Sequence, residues 1–410
     1  MDNDIKILRE LAHVFSEISR HPRNAENARL YRAVNDLRQI RPVVLLDEIP
    51  FHELNADGSL TLLCADPSAR AIEDYMRKTI FKWRHFPADM IVPPHIGVGK
   101  VIHSTGIGIQ VQEDTVGTDT RNHIVSHEYS DQFEREEDLQ KLRIPVITYD
   151  HAETMRRHEK IAGMIGDIVP VKISGVGYLY SMIWDDVVMY RGASSLLMDL
   201  IDRAEFIHAL IARLYEIRTS VAEQYEKLGL YEYGAETMHC TAALTGDLPA
   251  PEPSAGVLRK NIWCRGAAQI LGSVSREMHA EFELAYAKKL FEPFGLVYYG
   301  CCEPLHNKLE TLAGVPNLRK IGVTPWANLD MMAEFMGGRY VMACKPNPAA
   351  VAAGPLDEDA LRKEIGRILA AVRRNNASCD IVLKDISSAS FRLENLVRWE
   401  RIVMEMVRQW

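Results

Sequence analysis

The stretch Leu296–Glu303, L-V-Y-Y-G-C-C-E, opens as a strand and closes on two adjacent cysteines and a carboxylate. Leu296, Val297, Tyr298 and Tyr299 are strand-formers, and Gly295 before them marks a helix end. The unbroken apolar run fits a strand buried on both faces, as in a parallel sheet. Cys301, Cys302 and Glu303 then sit at its carboxyl end, where ligands and catalytic groups collect in barrels and open α/β sheets. Alone, the two cysteines would read as small packing residues. Their meaning depends on what the rest of the chain brings to the same rim.

Seven further runs read as strands: Val43–Asp47, Asp89–Ile96, Val169–Gly175, Tyr233–Cys240, Leu318–Trp326, Arg339–Pro348 and Asp380–Ser387. Helical patterns fall between them, at about 68–82, 151–165, 193–228, 275–294, 356–374 and 393–408. Alternation of strands and helices at this length predicts an α/β fold, a (β/α)₈ TIM barrel spanning 1–410 as one domain. It carries a helical leader over 1–40 and an inserted antiparallel segment near 97–147, read as an excursion at the barrel mouth. A doubly wound sheet finds no support, because no G-x-G-x-x-G follows the first strand and no G-x-x-x-x-G-K-[ST] occurs.

The 410 residues carry a net charge of -8 with no basic stripe, which argues against a nucleic-acid partner. No apolar run approaches the roughly eighteen residues of a membrane span. The first ten residues are too charged for a signal peptide, so a cytoplasmic location is expected. The seven cysteines are scattered and form no C-x-x-C, so neither a disulfide framework nor a zinc ribbon is expected.

The predicted strand ends share an unusual set of groups. Asp47 and Glu48 follow the first run, and His95 closes the second. Lys172 and Tyr178 belong to the third, and Glu236, His239 and Cys240 to the fourth. Cys301, Cys302 and Glu303 follow the fifth, Cys344 and Lys345 the seventh, and Lys384 and Asp385 the eighth. Thiolate and imidazole donors suit Zn²⁺, which keeps an open position when it is catalytic. Strand alternation, if it persists, sends Cys301 and Cys302 to opposite faces and leaves only Cys302 looking into the barrel.

In this order of elements the chain resembles the uroporphyrinogen decarboxylase-like superfamily, and within it the corrinoid-dependent methyltransferases. The likeness runs from about Arg41 to the end through P-V-V-L-L, V-P-V-K-I-S-G-V-G, Y-R-G, S-R-E-M-H-A-E-F, L-V-Y-Y-G-C-C-E and Y-V-M-A-C-K-P-N-P. The decarboxylases carry R-Q-A-G-R after the first strand. Here D-E-I-P-F-H-E stands there, which would repel a polycarboxylate. The methyltransferases bind zinc through H-x-C at strand 5 and a cysteine at strand 8. Cys302 matches the cysteine of H-x-C. Gly300 replaces the histidine, and Ile386 or Ser387 stands where the second cysteine would be.

The resemblance implies a zinc-dependent methyltransferase. It would move a methyl group between a small O- or N-methylated compound, or a thiol, and the cobalt of a corrinoid. No D-x-H-x-x-G occurs, so the cobalamin would arrive on a separate protein. The expected zinc ligands are His239, Cys302, Cys344 and Glu303. Asp47, Glu48, Glu236 and Lys172 are the catalytic candidates, and Tyr178, Trp326 and His95, with Trp184, the substrate-lining ones. A metal-free decarboxylase or lyase using Asp47, Lys172 and His239, and a non-catalytic ligand-binding barrel, are the rival readings. Neither a membrane nor a nucleic acid is expected as partner; the sequence leaves room for a homo-oligomer.

Overall fold

The computed structural model describes residues 2–117 and 125–410. Seven strands form one parallel sheet: β1 Val43–Leu46, β2 Tyr178–Ser181, β3 Trp263–Gly266, β4 Leu296–Tyr299, β5 Leu318–Val323, β6 Val341–Cys344 and β7 Ser378–Leu383. Their order is β1-β7-β6-β5-β4-β3-β2, and every pairing is parallel. From β2 to β7 each strand lies beside its predecessor, and β7 returns beside β1. That is the order of a barrel wall, curled but not closed. Among the described residues no ladder joins β1 to β2.

Side chains alternate across this wall as a pleated sheet requires. Val43, Leu45, Val341 and Val382 pack inward with Leu30, Tyr31 and Val34 of the helix Arg23–Asn35. Trp263, Leu296, Tyr298 and Ala343 continue the inner face. Cys264, Val297, Tyr299, Met342, Cys344, Cys379, Ile381 and Leu383 face the helical layer instead.

Three expected staves are corrected: Val169–Gly175 forms a strand, Val171–Ser174, but outside the main sheet, and Tyr178–Ser181 just after it is the stave. Tyr233–Cys240 is too polar and too turn-rich to be a strand. Gly234 and Cys240 hold positive φ, and Thr237–Met238 doubles back on Thr241–Ala242 as a tight antiparallel pair. The stave in its place is β3, four residues long with Arg265 in its middle, which disguises it in a hydropathy reading. Asp89–Ile96 also fails as a strand, since Pro93 and Pro94 offer no N–H to a ladder. The strand begins at Ile96 and runs to Gly99, and it pairs in parallel with Val171–Ser174 outside the main sheet.

That small pair carries its own core. Leu8 and Phe15 of the helix Asp2–Ser19 pack with Met76 of Pro67–His85 and with Ile161 and Ile165 of His151–Ile165. The insertion contains the expected antiparallel pairing, Val101–Ser104 with Ile147–Asp150 and Glu113–Val116 with Ser126–Tyr129. Residues 118–124 of it lie outside the described residues.

The hairpin at 237–242 packs on the inner face of the sheet. Lys320 of β5 reaches Thr241 Oγ1 at 2.9 Å, the Ala242 carbonyl at 2.7 Å and Asp380 Oδ2 of β7 at 2.8 Å. Tyr178 of β2 accepts the His239 N–H at 3.0 Å. Among the described residues no helix is long and apolar enough to cross a membrane.

Candidate functional site

At the carboxyl end of β4 the backbone turns at Gly300, whose φ is +105°. A Cβ there would stand 2.6 Å from Leu305 Cδ1 and 3.2 Å from the Gly322 nitrogen, so glycine is required. The turn ends the strand alternation. Cys301 and Cys302 therefore do not take opposite faces: their sulfurs lie 3.6 Å apart. Lys384 Nζ sits 3.3 Å from one and 3.4 Å from the other, and Asp385 Oδ2 is 3.2 Å from the Cys302 sulfur.

Lys384 is there because Asp380 and Val382 face inward on β7, and the alternation carries one step past the strand. The same count on β6 runs Val341, Ala343, Lys345. Lys345 is thus the inward residue and donates to the Cys240 carbonyl, while Cys344 lies on the helical face. Cys344 is not brought to the other expected ligands. Glu303 is likewise occupied. Its carboxylate folds back to accept the Cys301 N–H at 2.9 Å and the Ala268 N–H at 3.4 Å. Burial pushes it up to about 7. It braces the turn that carries the two cysteines.

β1 supplies the second half of the centre. Asp47 Oδ1 accepts the Glu48 N–H at 2.9 Å, and Oδ2 accepts the Cys240 N–H at 3.2 Å. It positions its neighbours. Glu48, at φ +50°, places Oε1 3.5 Å from His239 Nε2 and accepts the Asp385 N–H at 2.9 Å through Oε2. Glu48, His239 and Cys240 each offer one ligand atom, and these atoms all lie within 4.8 Å of one another.

The electrostatics sort these groups. The hydrogen bond from Cys302 draws Cys301 well down against the effect of burial, with His239, Arg265 and Lys384 adding to it. Cys302, donating that proton and then buried, is pushed up. Within the pair, negative charge is favoured at Cys301 over Cys302. Burial and then the bond to Asp385 raise Glu48. Asp385 stays low despite its burial because Glu48 and Lys384 both favour its charge. Burial pushes the Cys240 thiol up.

One participant escaped the sequence reading altogether. Arg265 of β3 is 0% exposed, and it lies in one inward row with Tyr180, Tyr298 and Lys320 of the neighbouring strands. Its guanidinium packs 5.0 Å from the Tyr180 ring centre and 5.3 Å from that of Tyr298. Nη1 reaches the Met182 sulfur at 2.9 Å, while among the described residues Nε and Nη2 have no hydrogen-bond partner. A guanidinium cannot shed its charge, so its burial without a carboxylate marks a place built around negative charge. Cys301 is among the groups that favour its charged form, after Tyr298.

The remaining candidates assemble elsewhere. A cleft of about 890 Å³ between the small strand pair, the helices Pro67–His85 and His151–Ile165, and residues 232–237 is lined by His95, Lys172, Tyr178 and Glu236. The sulfurs are not in this cleft. Tyr178 joins the two regions, its ring on the cleft and its hydroxyl on the His239 backbone. Trp326 is 64% exposed in a different recess, beside Asn347 and Glu364. Trp184 is fully buried and donates to Glu283 at 2.9 Å. Neither tryptophan joins Tyr178.

The donor chemistry fits a metal ion at Glu48, His239 and Cys240. Zinc–ligand bonds of about 2.0–2.3 Å in a tetrahedron separate ligand atoms by roughly 3.3–3.8 Å. The carboxylate–imidazole separation of 3.5 Å is already in that range. The Lys384 ammonium is engaged with Cys301, Cys302 and, at 3.0 Å, Asp385, and stands 4.0 Å from Glu48 Oε2. No protein-family model matches this sequence, and a search of curated proteins finds no match to it.

Proposed function

We propose that this protein is a methyltransferase of the uroporphyrinogen decarboxylase-like kind, working with a corrinoid carried by a separate protein. The observation that carries the reading is the convergence of Glu48, His239 and Cys240 beside the Cys301–Cys302 pair. Sulfur and imidazole donors favour a thiophilic ion such as Zn²⁺ over a hard cation. On this reading the seven staves belong to an eight-stave barrel. The free cysteines fit a reducing compartment such as a cytoplasm.

Zinc, when bound, would act as a Lewis acid on the heteroatom that bears the methyl group, or hold a thiolate acceptor. The chain's own residues supply the rest. Asp385 stands beside the site with its backbone N–H on the Glu48 carboxylate, so its own carboxylate can take a proton from a heteroatom there. Lys384 and Arg265 favour negative charge at the Cys301 sulfur. Asp47 fixes the backbone of Glu48 and Cys240, and Glu303 that of Cys301. The sheet's carboxyl face would meet the corrinoid protein, and the substrate would occupy the cleft behind Tyr178.

The test is metal analysis of protein purified without chelator, followed by incubation with a corrinoid protein and methylated donors. We expect close to one zinc per chain and a visible-spectrum change on methylation of the cobalt. A metal-free preparation with full activity would overturn the reading.

A further inference from the structure

The cleft carries a selective charge pattern. Three of its charged lining residues are already engaged: Arg157 with Glu153 at 2.7 Å, Lys100 with the Gly229 carbonyl, and Glu232 with the Gly175 N–H at 2.9 Å. Two are left over, one of each sign. Among the described residues neither Lys172 nor Glu236 has a side-chain partner. His95 lies within the electrostatic reach of both, and its Nδ1 is buried without a hydrogen-bond partner among the described residues. Three tyrosines, Tyr75, Tyr178 and Tyr233, also line the space. Aromatic faces attract a quaternary or methylated ammonium, which needs no hydrogen-bond acceptor. Gly99 and Gly234 leave open space, since a Cβ at either would meet nothing within 4 Å.

A cation alone would leave Lys172 unpaired, and an anion alone would leave Glu236 unpaired. We infer that the cleft takes a zwitterion, a methylated ammonium joined to a carboxylate. Lys172 and His95 hold the carboxylate, and Glu236 with the tyrosine faces holds the ammonium. The volume admits ring-bearing as well as acyclic members of this class. Tyr178, shared with the His239 backbone, is the wall between this ligand and the centre at the strand ends. That the zwitterion is the methyl donor rests on the methyltransferase reading, and would leave the metal to a thiolate acceptor, because a quaternary nitrogen has no lone pair for it; that the zwitterion binds here does not rest on that reading.

The test uses the full chain and calorimetric titration with three probes: glycine betaine, tetramethylammonium and acetate. Glycine betaine is expected to bind at least about tenfold tighter than either half. Lys172→Gln should weaken betaine and acetate about tenfold and leave tetramethylammonium unchanged, and Glu236→Gln should do the reverse. Lys172→Arg should retain binding. The inference is overturned if betaine binds no better than its halves, or if both Gln variants bind all three probes like the parent. Betaine binding without transfer of its methyl group to a corrinoid protein would sink the donor role and leave the binding site standing. Transfer from other donors with no betaine binding would overturn the zwitterion site and leave the methyltransferase reading standing.

Discussion

Asp380→Asn tests how the hairpin carrying His239 and Cys240 is held. Lys320 and Asp380 are both 0% exposed, with Nζ and Oδ2 2.8 Å apart. The same carboxylate oxygen accepts the Thr241 hydroxyl and, at 3.2 Å, the Ala242 N–H. The amide would leave the Lys320 ammonium with only Thr241 Oγ1 and the Ala242 carbonyl. Removing one partner of a buried pair costs about 3–5 kcal/mol. A ceiling applies, because the ammonium can shed its proton. Doing so at pH 7 costs about 1.4 kcal/mol for each of about 3.4 pH units, near 5 kcal/mol in all. Burial already pushes Lys320 down, and Asp380 is the first group opposing it.

In the variant the folded state then holds Lys320 neutral while the unfolded state holds it charged. The unfolded state binds more protons, so the variant's stability rises with pH, by about 1.4 kcal/mol per unit between neutrality and about pH 10. Urea unfolding of parent and variant at pH 7, 8 and 9 reads both the cost and the slope. The double variant Lys320→Met/Asp380→Leu should recover most of the loss. A penalty under about 1 kcal/mol with no pH slope would refute the reasoning, because a buried charge would then have been left unpaired without consequence.

The other predictions follow from the same centre. Cys301→Ser and Cys302→Ser should impair transfer alike, because both sulfurs meet at Lys384; a variant at either position with parental activity would restore the idea of opposite faces. His239→Ala and Cys240→Ser should each empty the metal site by elemental analysis, whereas Cys344→Ala, on the helical face, should leave metal content unchanged. Arg265→Met should still fold, because Lys384 remains beside the Cys301 sulfur, yet lose transfer activity. Burial raises Glu283 to about 7 against hydrogen bonds from Tyr215, Trp184 and Tyr299. Its folded pKa lies above the ordinary 4.5, so its contribution is full below that value and lost as pH rises through about 7. Glu283→Gln should therefore flatten the fall in stability across that window, measured as urea midpoints from pH 4 to 8.

Local pattern settled the elements whose signals are local. The helices expected at 151–165 and 393–408 stand at His151–Ile165 and Leu393–Arg408, because their apolar period fixes one buried face. The strand before Gly300 formed at Leu296–Tyr299, and the cysteine pair was placed at its carboxyl end. Alternation alone could also have moved attention from Cys344 to Lys345 and Lys384, since it counts the inward residues past each strand end. The tertiary structure decided what pairs with what. Trp263–Gly266 is a stave only because β2 and β4 flank it, and its buried arginine contradicts every local cue for a core strand. Glu48 and Asp385 meet across a separation of 337 residues, which no local spacing encodes. The two cysteines share one face because Gly300 must turn away from Leu305 and Gly322, contacts made by chain that follows it. A side chain's direction along a regular strand is a property of the backbone period; where the strand ends, it becomes a property of whatever the fold has packed against the turn.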